Sequence, residues 1–149
     1  MPVTIDQVLS QLNRDEPNYQ EAVQLGPEAL PHLLRLVQRG NPDIASKATY
    51  LAGFINADQS TAVVDLAARS SDLLVRIAAA ASLGNLGEIP TSPAASLLDD
   101  QDPGVRRLTL ESLQTRRPAG FKSKVQEIAA KDPDEIVRQV ARQVVNHLP

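Results

Sequence analysis

The 149-residue sequence predicts an all-α solenoid, a stack of about five helical hairpins, and three observations lead to this prediction. Turn-and-cap motifs recur every 30 or 31 residues, a spacing that is typical of stacked repeats. Aromatic residues make up only 3% of the chain, so small and straight apolar side chains dominate. The segment from Ser70 to Pro90 is apolar or small on almost every side, as expected for a helix with neighbours all around it.

The repeat spacing is defined by four predicted N-caps, Asn41, Asp72, Asp102 and Asp132. Side-chain oxygens of Asn and Asp accept hydrogen bonds from the first N–H groups of a helix. Three of the caps precede a proline, whose missing N–H costs nothing at that point. Each cap therefore predicts the start of a second, or B, helix, and the segment before it predicts a first, or A, helix. The segments TIDQVLSQL and PNYQEAVQL predict a shorter pair upstream.

The predicted B helices share one pattern of residues. Asp72, Val75, Arg76, Ala79 and Leu83 recur as Asp102, Val105, Arg106, Thr109 and Leu113, and again as Asp134, Val137, Arg138, Ala141 and Val145. The first repeat departs from the pattern, because Ala45 stands where the others carry arginine.

This D-x-x-V-R-x-x-A-x-x-x-L pattern, together with GPEALPHLLRLV and its internal Pro31, resembles HEAT repeats. It is most similar to the short bacterial kind grouped with the phycobilisome-lyase HEAT-like repeats. The resemblance extends from about Tyr19 to Leu148, and with the chain length it predicts a single repeat domain over residues 1–149. It implies a scaffold fold and leaves the activity open, because fold does not fix function.

Arg76, Arg106 and Arg138 recur at one position after the cap. In HEAT repeats such an arginine typically pairs with the aspartate of an adjacent turn. The resemblance therefore implies a structural ladder in which the arginines pair with Asp72, Asp102 and Asp134. The alternative is a basic row that contacts an acidic partner.

The sequence offers little for catalysis or metal binding. It contains no cysteine, which excludes disulfides, thiolate metal sites and a cysteine nucleophile. His32 and His147 lack neighbouring ligands, and no glycine-rich phosphate loop occurs. We therefore predict no catalytic residue, no metal and no cofactor, and favour a non-enzymatic role over an enzymatic one.

Charge and hydropathy narrow the expected partners and location. The net charge of −3 disfavours a nucleic-acid binder, which is normally basic. No segment approaches the length of a membrane span, and the first residues lack the features of a secretory signal. The sequence therefore predicts a cytoplasmic protein with no membrane partner.

Two surfaces are candidates for binding. In HEAT solenoids the B helices line the concave surface, so the resemblance implies a binding stripe along them, made of Tyr50, Phe54, Ile77, Ala81, Arg107 and Glu111. An exposed apolar strip with an aromatic anchor suits a partner helix or a flat ligand; the alternative for Phe54 and Ile77 is core packing between repeats. The second surface is a basic stretch, Arg116, Arg117, Lys122 and Lys124, which would face an anionic partner or simply be solvated.

These observations favour a scaffold or adaptor that binds another protein. The family resemblance implies an alternative function, a phycobiliprotein bilin lyase or a chromophore-handling chaperone subunit. A bilin or a phycobiliprotein would then be the partner.

Overall fold

The structure, a computed structural model, describes residues 2–149. Within these residues the chain forms ten α-helices and no strand. They are α1 (Ile5–Leu12), α2 (Tyr19–Ala22), α3 (Leu30–Arg39), α4 (Pro42–Ile55), α5 (Ser60–Ala68), α6 (Leu73–Ser82), α7 (Thr91–Leu98), α8 (Pro103–Arg116), α9 (Lys122–Lys131) and α10 (Glu135–Val145). Short 3₁₀ turns follow α2, precede α3 and extend α6.

The helices stack as five consecutive pairs. The odd-numbered helices are the A helices and the even-numbered ones the B helices. From α4 to α10, each B helix packs on its own A helix and on the neighbouring B helices, and successive B helices contact one another more extensively than successive A helices do. The predicted all-α solenoid is therefore confirmed.

Helix α6 shows why a central repeat can be apolar on nearly every side. It lies against α4, α5 and α8, and Ala78, Ala79 and Ala80 are fully buried. Glycine allows the closest approach between B helices: a Cβ atom added at Gly53 would come within 3.0 Å of Ser82 Cβ. The B helices therefore pack nearly backbone to backbone along one edge.

The N-caps set where each B helix begins. Asn41, Asp72 and Asp102 cap α4, α6 and α8 as the sequence predicts. The fourth predicted cap is wrong, because Asp134, and not Asp132, caps α10 and accepts a hydrogen bond from the Val137 backbone N–H at 2.9 Å. The loop before α10 is two residues longer than the 30-residue repeat spacing predicts. Because Asp134 caps the helix, a valine still lies three residues after the cap, as in α6 and α8.

Two apolar clusters fill the interior of the stack. One joins α1 to α5 through residues such as Leu12, Leu33 and Leu51, and the other runs from Ala45 on α4 to α10 through residues such as Leu83 and Leu113. No helix among residues 2–149 combines the length and apolar character needed to cross a membrane.

Candidate functional site

Two arginines tie consecutive turns together at the cap edge of the stack. Arg106 donates from Nε and Nη2 to the two carboxylate oxygens of Asp132, at 2.8 and 2.9 Å, and from Nη1 to the carbonyl of Asp100 at 2.9 Å. Arg76 donates from Nε to the Asp100 carboxylate at 2.8 Å and from Nη1 to the Ser70 carbonyl at 3.1 Å. Each guanidinium thus binds a carbonyl of its own turn and a carboxylate of the next turn, an arrangement we call a rung.

The carboxylates of these rungs differ from those the sequence pattern implies. Asp72, Asp102 and Asp134 do not pair with the arginines, because their side-chain oxygens accept backbone N–H groups at the helix starts. The aspartate two residues before the cap, Asp100 or Asp132, accepts the N–H of the cap residue and also binds the arginine of the preceding repeat.

Arg138 makes only half of a rung. Its Nη1 donates to the Asp132 carbonyl at 2.6 Å, but no carboxylate within residues 2–149 lies at ion-pair distance from its guanidinium.

The rung between Arg106 and Asp132 is buried, with both residues 8% exposed. Burial alone would raise the pKa of Asp132. Hydrogen bonds from Arg106 and from the Asp134 backbone, with the positive charges of Arg106 and Arg138, outweigh burial and hold the pKa of Asp132 below its ordinary value. The carboxylate is therefore ionised at neutral pH and stabilises the folded chain as an anion.

The predicted stripe on the B helices divides into an apolar part and a charged part. On α4, Phe54 is 46% exposed and Tyr50 is half-buried. On α6, Ile77 and Ala81 are also half-buried. On α8, the charged part of the stripe consists of Arg107 and Glu111, which are exposed and form an ion pair at 3.7 Å.

A third aromatic residue, which the sequence analysis did not single out, joins Tyr50 and Phe54. The ring of Tyr19, from α2, lies 6.1 Å from that of Tyr50 and 5.3 Å from that of Phe54, measured between ring centroids. Burial, together with Tyr50 and Asp43, raises the pKa of Tyr19 to about 12, and burial raises the pKa of Tyr50 as well. Both phenols are therefore protonated at neutral pH, and the three rings form what we call the aromatic cluster.

The sequence contained one signal for this cluster. Three of its four aromatic residues lie between positions 19 and 54, in the first two repeats. Because α2 is a single helical turn, its pattern was too short to show which side of it would face α4.

The predicted basic stretch is partly engaged within the molecule. Arg116 donates from Nε to the Gly84 carbonyl at 2.8 Å, and Lys124 lies 2.6 Å from Asp99. The hydrogen bond from Lys124 to Asp99 raises the pKa of the lysine. Arg117 ends α8 in the left-handed conformation, with φ 52°, and Lys122 is exposed at the start of α9. Two of the four cations thus already have intramolecular partners.

A cleft of about 620 Å³ lies between the first residues, the start of α3 and the loop between α4 and α5. Its lining includes Val3, Leu30, Pro31 and His32, and the His32 imidazole donates from Nε2 to the Val3 carbonyl at 2.7 Å. In the part of the chain that the structure describes, no group of three His, Asp or Glu side chains is placed to hold a metal ion.

Comparison with known proteins identifies the repeat family and a solved structure with a similar fold. A family model for HEAT repeats matches residues 62–146. No curated protein matches the sequence significantly. Among solved structures, the chain is similar to one from the complex of CpcE and CpcF of phycocyanin lyase from Nostoc sp. PCC7120. The two are 22% identical with a TM-score of 0.75, over 94% of this chain and 96% of that chain. At this identity the likeness establishes the shared fold alone.

Proposed function

Because this chain belongs to the family of HEAT-repeat proteins, we propose that it is a non-enzymatic scaffold or adaptor that binds another protein along its B helices. A cytoplasmic place of action is part of the same proposal. The binding surface would be the apolar part of the stripe, with Tyr50, Phe54, Ile77 and Ala81, continued by Arg107 and Glu111.

The observation that carries this proposal is the exposure of Phe54. An exposed phenylalanine side chain gains free energy when a partner covers it, and Phe54 leaves 46% of its surface accessible. Tyr19 supports one side of the ring, so the side chain is held in place without being covered. A large, fixed apolar ring with polar neighbours is the kind of anchor found at the centre of protein interfaces.

The surroundings of the aromatic cluster fit an interface with an apolar centre and a polar rim. Ile77 and Ala81, on the neighbouring helix α6, extend the apolar surface, and the Arg107–Glu111 pair on α8 provides charged groups beyond it. Closer contact among B helices than among A helices is expected on the inner side of a curved stack, and this supports a concave binding face.

The test is affinity capture from native lysate with immobilised wild-type chain, followed by quantitative binding of the protein it retains. Phe54→Ser and Ala81→Glu should fold normally by circular dichroism and bind that protein about 1–3 kcal/mol more weakly. Gln143→Glu is the matched control for Ala81→Glu, because it occupies the equivalent, exposed position on α10. If both stripe variants fold and bind as the wild type does, the partner uses another surface.

A second candidate function is suggested by the solved structure with the similar fold, which is described as a complex of phycocyanin lyase subunits. On this proposal the chain handles a bilin or a phycobiliprotein, and the aromatic cluster would lie against the flat tetrapyrrole. Mixing the chain with phycocyanin and with free bilin should then shift the bilin absorption spectrum, and Phe54→Ser should reduce the shift. Capture of an unrelated protein without any spectral change would favour the adaptor.

A further inference from the structure

The inner repeats show which positions of a B helix face the following repeat. Arg106, four residues after its cap, reaches Asp132 of the next turn. Gly53, twelve residues after its cap, touches Ser82 of the next B helix. Residues spaced by four share a helix face, so positions four, eight and twelve after the cap all point to the following repeat.

The outer face of α10 is cationic at these positions. At the eighth position, Ala80 and Leu110 are fully buried in the inner repeats, whereas α10 carries Arg142, which is exposed. At the fourth position is Arg138, whose guanidinium is already oriented by the Asp132 carbonyl as in a complete rung. The outer face of α10 can therefore bind carboxylates, and its two arginines do not favour packing against another apolar repeat.

The outer face of α2, at the opposite end of the stack, carries acids in the matching register. Asn18 caps α2, and Glu16 lies two residues before it, the position from which Asp100 and Asp132 receive their arginines. Glu21 lies three residues after the cap, where the other B helices from α6 onward bury valine. Both glutamates are exposed, and Glu21 Oε2 also lies 3.3 Å from Arg14 Nη1 in a surface ion pair that a partner's cation would share.

The whole chain is polarised in the same sense. Residues 104–149 contain nine Lys and Arg against five Asp and Glu, whereas residues 1–103 contain six against thirteen. Residues 104–149 thus carry a net charge opposite in sign to that of residues 1–103, and such fields orient proteins as they approach each other.

We propose that a second copy of this chain docks head to tail on the outer face of α10, with Glu16 of one copy completing the rung of Arg138 in the other. Glu21 and Arg142 lie on the same two faces and add attraction. This contact is separate from the B-helix stripe and does not depend on the function proposed for it.

Complementary charge selects this occupant and this orientation. Docking two α10 faces on each other would bring arginine against arginine, and docking two α2 faces would bring glutamate against glutamate. A head-to-tail pair leaves one unpaired α2 face and one unpaired α10 face, so further copies can add as the concentration rises. It also weakens with salt, because most of the charges are exposed.

Sedimentation equilibrium over a concentration series tests the proposal. In about 0.01 M NaCl, where the Debye length is about 30 Å, the weight-average mass should rise with concentration above the 16.1 kDa of one chain. In about 1 M NaCl, where the Debye length is about 3 Å, it should return to that of one chain.

Charge reversal identifies the faces. Arg138→Glu and Glu16→Arg should each raise the dissociation constant by at least about tenfold, since like charges then meet. The chain with both substitutions, or an equimolar mixture of the two single variants, should associate again. Arg35→Glu makes the same charge change on an exposed residue of α3, outside both end faces and the B-helix stripe, and should leave association unchanged.

Arg142→Glu and Glu21→Arg provide a second pair in case Arg138→Glu unfolds, because both positions are exposed. A wild-type chain that stays monomeric in low salt at every concentration overturns the proposal. So does association that survives all four single reversals, or binding of a different acidic protein at Arg138 with no self-association.

Discussion

Residues 62–146, which match the family model, and the segment α1–α4 are packed by different means. In the first region, the partly buried rung at Arg76 and the buried rung at Arg106 join consecutive turns. In the second, α2 is a single turn and Ala45 occupies the position at which the later B helices carry arginine. Partly exposed aromatic rings lie on its surface. The regular region is tied together by ion pairs between its turns, while the irregular one carries the exposed aromatic cluster that we propose as a binding surface.

The missing rung between α4 and α6 shows what a buried ion pair requires. Ala45 stands where Arg76 and Arg106 lie, and Ser70 stands where Asp100 and Asp132 lie. Both members are absent together, because one alone would leave a buried charge without a partner. The Ser70 hydroxyl still accepts the Asp72 N–H at 3.1 Å, as the Asp100 carboxylate accepts that of Asp102 at 3.0 Å. The turn is therefore kept although the ion pair is lost.

Removing residues 118–149 is the severest way to break the regular region. It uncovers Leu110 and Leu113, which are fully buried, and takes Asp132 away from Arg106. In a stack where each repeat is stabilised by its neighbours, we expect an aggregating or molten product, measured by size-exclusion chromatography and thermal melting. A monomeric truncated chain with undiminished stability would contradict the repeat energetics.

Replacing Arg106 by methionine should have the next largest effect. The substitution keeps an apolar stem but leaves the Asp132 carboxylate buried without its cation, which should cost about 3–5 kcal/mol of unfolding free energy in urea titrations. Arg107→Met, on the exposed neighbour, should change it by about 0.5 kcal/mol or less. Equal effects at the two positions would mean that burial of the rung is not what matters.

The pH dependence of stability should reveal the same rung. The pKa of Asp132 is lower in the folded chain than its ordinary value, so its contribution is fully present above the ordinary pKa of aspartate and is lost as pH falls through the lowered one. Wild type should therefore lose more unfolding free energy than Asp132→Asn between neutral and strongly acidic pH. Parallel curves for the two proteins would assign the acid sensitivity to other groups.

Building the missing rung between positions 45 and 70 tests the smallest free-energy change of the series, the coupling energy between its two members. Ala45→Arg and Ser70→Asp should each destabilise the chain, the arginine more so because position 45 is buried. The double variant should recover about 1 kcal/mol or more relative to the sum of the single changes, measured as the coupling energy of a double-mutant cycle. Strict additivity would show that the α4–α6 joint lacks the rung geometry.

The sequence predicted the architecture well because its signals are local. Caps at regular spacing and the alanine run of α6 depend on hydrogen bonds and burial within a few residues, and both the family and the all-α solenoid are confirmed. The cap of α10 was misplaced because Asp132 and Asp134 both precede a helix, and only the fold shows which carboxylate turns back to the backbone.

The candidate site was harder to predict because it depends on contacts across repeats. The sequence shows that an arginine recurs at the position of Arg106 in other repeats, but it does not show the partner. That partner, Asp132, is 26 residues away and belongs to the next turn. Tyr19 reaches Phe54 from a helix too short to show a pattern. The role of the B-helix stripe and the single domain over residues 1–149 stay predictions.

The close Gly–Ser contacts and the rungs together decide how the stack can bend. The α6–α8 joint is pinned at both ends, by Arg76 with Asp100 and by Gly84 against Ser112. The α4–α6 joint lacks a rung and has the contact of Gly53 with Ser82 and the hydrogen bond from Ser82 to the Thr49 carbonyl at the far end of the helices. The α8–α10 joint has the rung of Arg106 at the near end. The polar ties of the two outer joints therefore lie at opposite edges of the stack, so a bend that strains the rung at one joint would strain the glycine–serine contact at the other.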